Sequence, residues 1–277
     1  MWRNLKSPLI AITMAFSLAL ALPAQADDVL IVNGSSTTSE PGTTANITSA
    51  LDTLLQSQGH TTTISDPVPG DISPYDQVWD IRFSDTSPIT AGEETQFLDF
   101  LQAGGRMFVM GENNGFMTRN NSVLDLIDAA GGGSLSFIEP SSTQTVNPGL
   151  RSPNDIETVT YSAPGGTAGG GTTAGTGEFL SFDGTSGGTA LGFPTGTLAN
   201  ATSGSLAVVF DVNFMADSGE NGAEFLENLS LYVEAGGSVA NGGPKAIPTL
   251  SEWAMILLSL IMAGLFALHM RNPRPSA

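Results

Sequence analysis

Between residues 29 and 110, short apolar runs alternate with stretches that carry apolar residues at helical spacing, and this alternation constrains the fold more than any other feature. The apolar runs are typical of buried parallel strands, and the intervening stretches are typical of amphipathic helices. Strands are predicted at residues 29–32, 61–64, 77–82 and 107–110, and helices at 45–55, 93–103 and 122–127. Such alternation predicts an α/β fold: a doubly wound, mainly parallel sheet with helices on both faces.

The composition changes after residue 138. Residues 139–204 are rich in Gly, Thr and Pro, and they predict a β-rich insertion with a Gly/Thr loop. A strand at 206–211 and a helix at 221–233 then close the α/β domain. The predicted organisation is a first part of the domain at 27–138, the insertion at 139–204, the closing strand and helix at 205–236, and a linker at 237–246.

The amino-terminal 26 residues have the three parts of a secretory signal peptide. Arg3 and Lys6 supply the positive charge, residues 9–22 form the apolar core, and Ala24 and Ala26 provide the small residues of a cleavage site. We therefore predict cleavage before Asp27 and export of the mature chain.

The carboxyl-terminal end carries a second targeting signal. Residues 253–270 are almost entirely apolar and are long enough to cross a bilayer as a transmembrane helix. Arg271 and Arg274 follow them, and positive charge at this end favours a cytoplasmic carboxyl terminus with the preceding domain exported.

A short motif precedes this span: Ile247, Pro248, Thr249, Leu250, Ser251, Glu252 and Trp253. The motif, the apolar span and the terminal arginines together resemble the IPTL-CTERM sorting signal, a relative of the PEP-CTERM signals of Gram-negative bacteria, over residues 247–277. The resemblance implies recognition by an exosortase-like membrane protease or transpeptidase after passage through the export translocon. The family usually has Gly after the Trp, where this chain has Ala254. An ordinary membrane anchor is the alternative interpretation.

Charge and cysteine content exclude several classes of function. The chain has no Cys, which rules out disulfides, thiolate nucleophiles and Cys-ligated metals. Residues 27–250 hold five basic side chains against 26 acidic ones, a net charge of −21. Nucleic acid is therefore not an expected partner, because its phosphates require a basic surface.

The body of the chain resembles the class I glutamine amidotransferase-like fold, which is flavodoxin-like. The likeness rests on residues 29–33, on Gly59-His60, on the strand entry at 75–79 and on the turn at 111–115. In that family the turn carries a nucleophilic Cys, whereas Asn113 stands at this position here. A neutral amide cannot act as that nucleophile, so the resemblance implies the fold without the amidotransferase reaction.

Two further patterns are weak candidates for hydrolytic chemistry. Gly184, Ser186 and Gly188 match a Gly-x-Ser-x-Gly pattern, but no predicted buried strand precedes it and no helix follows it. His60 is a candidate general base, and the alternative is a histidine that faces solvent.

Polar side chains gather where the predicted strands end. They are Asn33, Asp80, Arg82, Glu112, Asn113, Asn114, Asp211 and Asn213. In a doubly wound sheet these positions border a ligand crevice. The side chains could hold a sugar or Ca²⁺, or they could cap helices and stabilise turns. No cofactor is predicted, and Ca²⁺ in this crevice is kept as an alternative. The sequence that begins at Asp211 is not an EF-hand loop, because Met215 and Ala216 stand where such a loop needs an oxygen ligand and a Gly.

These observations predict an exported, non-catalytic protein that is anchored in the inner membrane at least transiently and then reaches the cell surface or the extracellular matrix. The resemblance to the IPTL-CTERM sorting signal implies extracellular polysaccharide as a partner, because such tails often accompany exopolysaccharide systems. One alternative is an extracytoplasmic hydrolase in which Asp80, Glu112 or Asp211 activates water, with or without a metal. A structural surface-layer component is a third possibility.

Overall fold

The computed structural model describes residues 26–34, 43–169, 173–216 and 219–238. Most of the predicted signal peptide and linker, all of the sorting signal and the predicted transmembrane helix lie outside these residues. Within the described part of the chain, no helix is both long enough and apolar enough to cross a membrane.

Strands and helices alternate through the first half of the described chain. The elements are β1 (Asp28–Val32), α1 (Thr43–Ser57), β2 (Thr61–Ser65), β3 (Gln77–Asp80), α2 (Ala91–Gln102), β4 (Arg106–Met110) and α3 (Met117–Ala129). A region of mostly short strands and a final helix follow. These are β5 (Phe137–Ile138), β6 (Thr143–Val146), β7 (Thr158–Thr160), β8 (Gly166–Ala168), β9 (Thr173–Ala174), β10 (Gly177–Phe182), β11 (Gly187–Gly188), β12 (Ala190–Phe193), β13 (Ser205–Val209) and α4 (Gly222–Glu234).

Five strands form the parallel part of the main sheet, in the order β2-β1-β3-β4-β13. This 2-1-3-4-5 order is one of the common arrangements of doubly wound folds. The register places Val32 beside Asp80, and Met110 beside Val209. The carboxyl ends of these strands therefore reach the same edge of the sheet.

The helices cover both faces of the parallel part, as the alternation predicts. Val29 and Ile31 point to the face covered by α1 and α4, whereas Leu30 and Val32 point to the face covered by α2 and α3. These four side chains of β1 are fully buried, which explains why their sequence is continuously apolar rather than alternating.

The strands of the predicted insertion continue the same sheet. β12 pairs antiparallel with β13, and β10, β6 and β7 follow outward in that order, with β9 also paired to β10. A separate three-stranded antiparallel sheet has the order β11-β8-β5. The mixed α/β architecture with parallel strands at its centre is thus confirmed, and an antiparallel extension adds to it.

Two features of the fold differ from the sequence prediction. α3 begins at Met117, five residues before the predicted start at residue 122. Several short strands, such as β6 of the extension and β8 of the separate sheet, were not predicted, because Thr-Gln-Thr-Val and Gly-Thr-Ala carry no clear apolar signal.

Candidate functional site

Three carboxylates lie at the carboxyl edge of the parallel strands. Asp80 ends β3, Glu112 follows β4 and Asp211 follows β13, and these three strands are neighbours in the sheet. The side chains are almost completely shielded from water, with exposed fractions of 0, 1 and 0% respectively. Sequence reasoning placed these residues at one edge, and the contacts made by each carboxylate indicate what it can do there.

Asp80 is held by two arginines. Nε and Nη2 of Arg82 each donate a hydrogen bond of 2.8 Å to a different carboxylate oxygen of Asp80. Nη2 of Arg119 lies 3.1 Å from Oδ2 and forms an ion pair with it. Burial would raise the pKa of Asp80, but the charges of Arg119 and Arg82 outweigh this effect and hold the pKa below its usual value. A carboxylate whose pKa is lowered in this way is a weaker general base.

Arg119 was missed by the sequence analysis, although its side chain is the most deeply buried cation at this edge. Nε donates to the carbonyl of Met110 at 2.9 Å, and Nη1 donates to the carbonyl of Ser87 at 3.1 Å. Burial lowers its pKa, whereas the charge of Asp80 opposes this change. The sequence could have indicated Arg119 only by predicting a helix that begins before residue 122. Arg119 lies in the first turn of that helix, α3.

Glu93 completes the ionic network. Its Oε1 accepts a hydrogen bond of 2.8 Å from Nη1 of Arg82, while its Oε2 accepts one from the backbone of Thr90 at the start of α2. Two carboxylates and two guanidinium groups therefore balance one another beside the sheet. This balance is what allows charged groups to be buried at all.

Glu112 stabilises the backbone rather than facing solvent. Oε1 accepts from the backbone and side-chain nitrogens of Asn113, both at 3.0 Å, and Oε2 accepts from the backbone nitrogen of Val212 at 2.7 Å. Asn120, which is fully buried in α3, accepts from the Glu112 nitrogen at 2.8 Å and donates to the carbonyl oxygens of Glu112 and Asn113. The turn after β4 is thus fixed from both sides.

Asp211 organises the loop after β13. Its Oδ1 accepts from the backbone nitrogen of Asn213 at 2.7 Å, and its Oδ2 accepts from that of Ala163 at 3.1 Å. Burial raises the pKa of Asp211 above its usual value, although these backbone hydrogen bonds oppose the change. Asn33 lies at the end of β1 and is half-buried, as is Asn213.

The turn predicted to resemble a nucleophile elbow lacks the strained backbone of one. Asn113 has φ −64° and ψ −178°, and its side chain caps the following short helix by accepting from the Gly115 nitrogen at 2.9 Å. Among the described residues, only Asn221 combines a side chain with positive φ. Asn114 is exposed. The amidotransferase-like interpretation of this turn therefore receives no support from the local geometry.

The weak hydrolase candidates lie elsewhere. Ser186 is in the loop between β10 and β11, where its hydroxyl donates to the carboxylate of Asp183. The expectation that His60 faces solvent is wrong, because only 7% of it is exposed. His60 packs at the amino-terminal edge of the sheet, opposite the three carboxylates, since its neighbour Thr61 begins β2 beside Asp28.

No group of three or more His, Asp or Glu side chains in the described part of the chain is arranged to hold a metal ion. Asp211 and Asn213, which open the EF-hand-like sequence, instead form a hydrogen-bonded turn with each other. Asp211 therefore has the geometry of an aspartate that stabilises a turn.

Two cavities lie away from the carboxylate edge. One, of about 470 Å³, is at the amino-terminal edge of the sheet, and its lining includes Asp71, Tyr75, Asp76, Gln96 and Arg106. The other, of about 480 Å³, lies among α1, α4 and the loop after β13, and its lining is mainly apolar. The lining of the first cavity combines carboxylates, an amide, a guanidinium group and an aromatic ring. Such a combination is typical of a site that binds a polar ligand.

The carboxyl-terminal sequence matches a known family model. Residues 245–272 match the IPTL-CTERM motif, and the match includes the whole predicted recognition segment from Ile247 to Trp253. It supports an exported bacterial surface protein that is sorted through its carboxyl-terminal signal. It is also consistent with processing by an exosortase-like membrane enzyme.

The domain itself is compared best through solved structures, because no curated protein matches the chain. The mmIFT52 N-terminal domain is similar over 74% of this chain and 96% of its own, with 13% identity and a TM-score of 0.52. At this identity the likeness concerns the fold alone. A ThuA-like protein from Bacteroides uniformis has 12% identity over 82% of this chain and 98% of its own, with a TM-score of 0.49. The exo-β-1,4-mannosidase Op5Man5 from Opitutaceae bacterium strain TAV5 has 12% identity over 75% of this chain and 36% of its own, with a TM-score of 0.48.

Proposed function

We propose that this protein is a non-catalytic component of the cell surface or extracellular matrix, which is delivered there by a cleaved signal peptide and an exosortase-processed tail. The observation that carries the non-catalytic part is the state of the three edge carboxylates. Each one is shielded from water, and each accepts hydrogen bonds from arginines or from backbone nitrogens. A general base or a metal ligand needs a free oxygen that faces its substrate.

The alternative hydrolase would use Asp80, Glu112 or Asp211 to activate water. We disfavour it because these carboxylates already have internal partners that fix the surrounding loops. A screen of the exported protein against polysaccharides and glycosides tests this choice. Hydrolysis that is abolished by Asp211→Asn but retained in Asn114→Ala, a change at an exposed neighbour, would overturn the non-catalytic proposal.

The sorting part of the proposal is tested by intact mass spectrometry of protein recovered from membranes and from culture medium of the native host. We expect the apolar tail to be absent from the surface or released form. A Pro248→Ala, Trp253→Ala double variant should be exported but keep its tail. The matched control is Thr249→Ser, which preserves the polar character of the segment and should be processed normally. Unchanged removal of the tail in the double variant would contradict exosortase-type recognition.

Extracellular polysaccharide is the partner that we propose for the displayed domain, and the cavity near Tyr75 is the surface that suits it best. Carboxylates such as Asp76 and Asp99 can accept hydrogen bonds from sugar hydroxyls, and the half-buried ring of Tyr75 can stack on a sugar face. Co-sedimentation of the exported protein with purified host exopolysaccharide should therefore be weakened by Tyr75→Ala. Leu98→Ala, on the same side of the sheet but outside the cavity lining, is the control. Equal retention of the two variants would contradict this assignment.

A further inference from the structure

Asp27, the residue immediately after the predicted signal cleavage site, is anchored at the amino-terminal edge of the sheet. We propose that this edge is a preformed binding site for the mature amino terminus, here called the seat and formed by His60, Thr61, Gln77 and Arg106. In this seat, His60 accepts a hydrogen bond from the α-ammonium group of Asp27. The proposal rests on the cleaved signal peptide of the proposed function. It adds a binding role for His60, which the carboxylate edge does not explain.

The side chain and carbonyl of Asp27 fix its position through three other strands. Oδ2 accepts from Nε2 of Gln77 at 2.7 Å, and Oδ1 accepts from Nη2 of Arg106 at 2.8 Å. The carbonyl oxygen accepts from the Thr61 nitrogen at 2.9 Å. Gln77 is itself held by Nε1 of Trp79, which donates to its Oε1 at 3.0 Å. The contacts come from the first residues of β2, β3 and β4, so the seat belongs to the rigid sheet.

His60 faces the backbone nitrogen of Asp27. Its Nδ1 accepts a hydrogen bond from that nitrogen at 3.2 Å, a contact that requires a lone pair on Nδ1. Nε2 is buried, and it has no hydrogen-bond partner among the described residues. A buried imidazole that directs the lone pair of Nδ1 at this one nitrogen is a suitable acceptor for an ammonium group.

The local charge also favours an ammonium group. The carboxylates of Asp27 and Asp76 lie here, since Oδ2 of Asp76 accepts from the Asp28 nitrogen at 3.0 Å. Arg106 is the one guanidinium group among these contacts, so two negative charges face one positive charge. A peptide nitrogen adds no charge, whereas an α-ammonium group would bring the sum to zero. A hydrogen bond from a charged donor is also about twice as strong as one between neutral groups.

The seat is specific for the cleavage position. Ala26 is exposed, so an amino terminus that began at Ala26 would hold its charge in water. A chain that began at Asp28 would lose the contacts to Gln77 and Arg106. Cleavage between Ala26 and Asp27 is the position that places a new ammonium group opposite His60.

The sequence permits a direct test by amine labelling. After removal of the signal peptide, the protein has two amines, the α-amino group and the side chain of Lys245, because Lys6 is lost. The protein is expressed from the full-length gene, recovered after export, and treated with an amine-reactive ester at neutral pH. Mass spectrometry then gives the first residue and the labelling rate of each amine, with and without denaturing urea.

We expect Asp27 as the first residue and an α-amino group that reacts about tenfold more slowly than in urea, relative to Lys245. His60→Leu, which removes the acceptor, should restore fast labelling in the folded protein. Gln58→Leu is the control, because Gln58 is two residues away and bonds Ser230 instead of Asp27, and it should keep the protection.

Three results would overturn the proposal: a first residue other than Asp27, fast labelling of the α-amino group in the folded wild type, or equal protection in His60→Leu. The comparison of wild type with and without urea holds even if a variant fails to fold. The same spectra report the carboxyl terminus independently. A failure of tail processing is therefore distinguished from a failure of the amino-terminal seat.

Discussion

Nη2 of Arg119 lies 3.1 Å from Oδ2 of Asp80, and both side chains are completely shielded from solvent. This ion pair joins the end of β3 to the first turn of α3. Since Arg119 also donates to the carbonyl oxygens of Met110 and Ser87, one side chain connects β4, α3 and the loop before α2. The carboxylate edge is therefore a structural junction, and its predicted behaviour follows from that role.

Replacement of Arg119 by Met should destabilise the protein by about 3 kcal/mol or more, because breaking a buried ion pair leaves charge and carbonyl groups without partners. The free energy of unfolding from urea titration measures the loss. Arg151→Met is the matched control, since Arg151 is half-buried and both of its bonding nitrogens share the carbonyl of Val146. The control should lose about 1 kcal/mol. Equal losses of unfolding free energy in the two variants would contradict the role of Arg119 in joining β3, β4 and α3.

Asp80 should make the stability of the protein fall in acid. Its pKa is lower in the folded protein than the usual value, so the folded state binds fewer protons than the unfolded chain at acidic pH. The stabilisation is thus complete above about pH 4 and is lost as pH falls toward the folded-state pKa. Unfolding free energies measured from pH 7 to pH 2 should decline less steeply in Asp80→Asn than in wild type. Parallel acid profiles would show that the pKa of Asp80 is not lowered by folding.

Asn120→Ala should loosen the turn after β4. The change removes the acceptor of the Glu112 nitrogen and the donor to two carbonyl oxygens, all buried or partly buried, which should cost about 1–3 kcal/mol. Amide hydrogen exchange at Glu112 should become faster. Asn200→Ala is the control, because Asn200 is exposed and bonds one carbonyl at the other end of α3. Unchanged exchange at Glu112 would show that Asn120 does not fix the turn.

Gly192→Ala should separate α4 from the antiparallel part of the sheet. A Cβ at residue 192 would overlap the hydroxyl of Tyr232, whose ring is buried in α4 and cannot move aside freely. Overpacking of this kind costs about 1–3 kcal/mol. Gly70→Ala is the control, since a Cβ there meets no atom within 4 Å. Thermal unfolding of the two variants checks the packing, and equal melting temperatures would contradict it.

Sequence patterns predicted the parallel strands well because β1 and β4 are buried on both faces and are therefore continuously apolar. The same reasoning brought Asp80, Glu112 and Asp211 to one edge. It left open whether these carboxylates bind a ligand or stabilise turns, because that depends on which nitrogens surround them. Val212 and Asn120, which bind Glu112, carry no sequence signal for that role.

His60 and Arg119 show a second limit. A polar residue beside a turn is usually exposed, and a guanidinium group is rarely buried. Both are buried here because partners distant in the sequence meet them: Asp27 for His60, and Asp80 for Arg119. Local periodicity contains no information about such pairs.

The sequence by itself determined the sorting signal and the alternating α/β elements, because both depend on the order and polarity of neighbouring residues. Only the tertiary structure decided that the insertion extends the main sheet and that the edge carboxylates are satisfied internally. It also decided that Asp27 is anchored by three other strands. These outcomes depend on hydrogen bonds and ion pairs between segments far apart in the chain, which form only when the strands assemble in their final order.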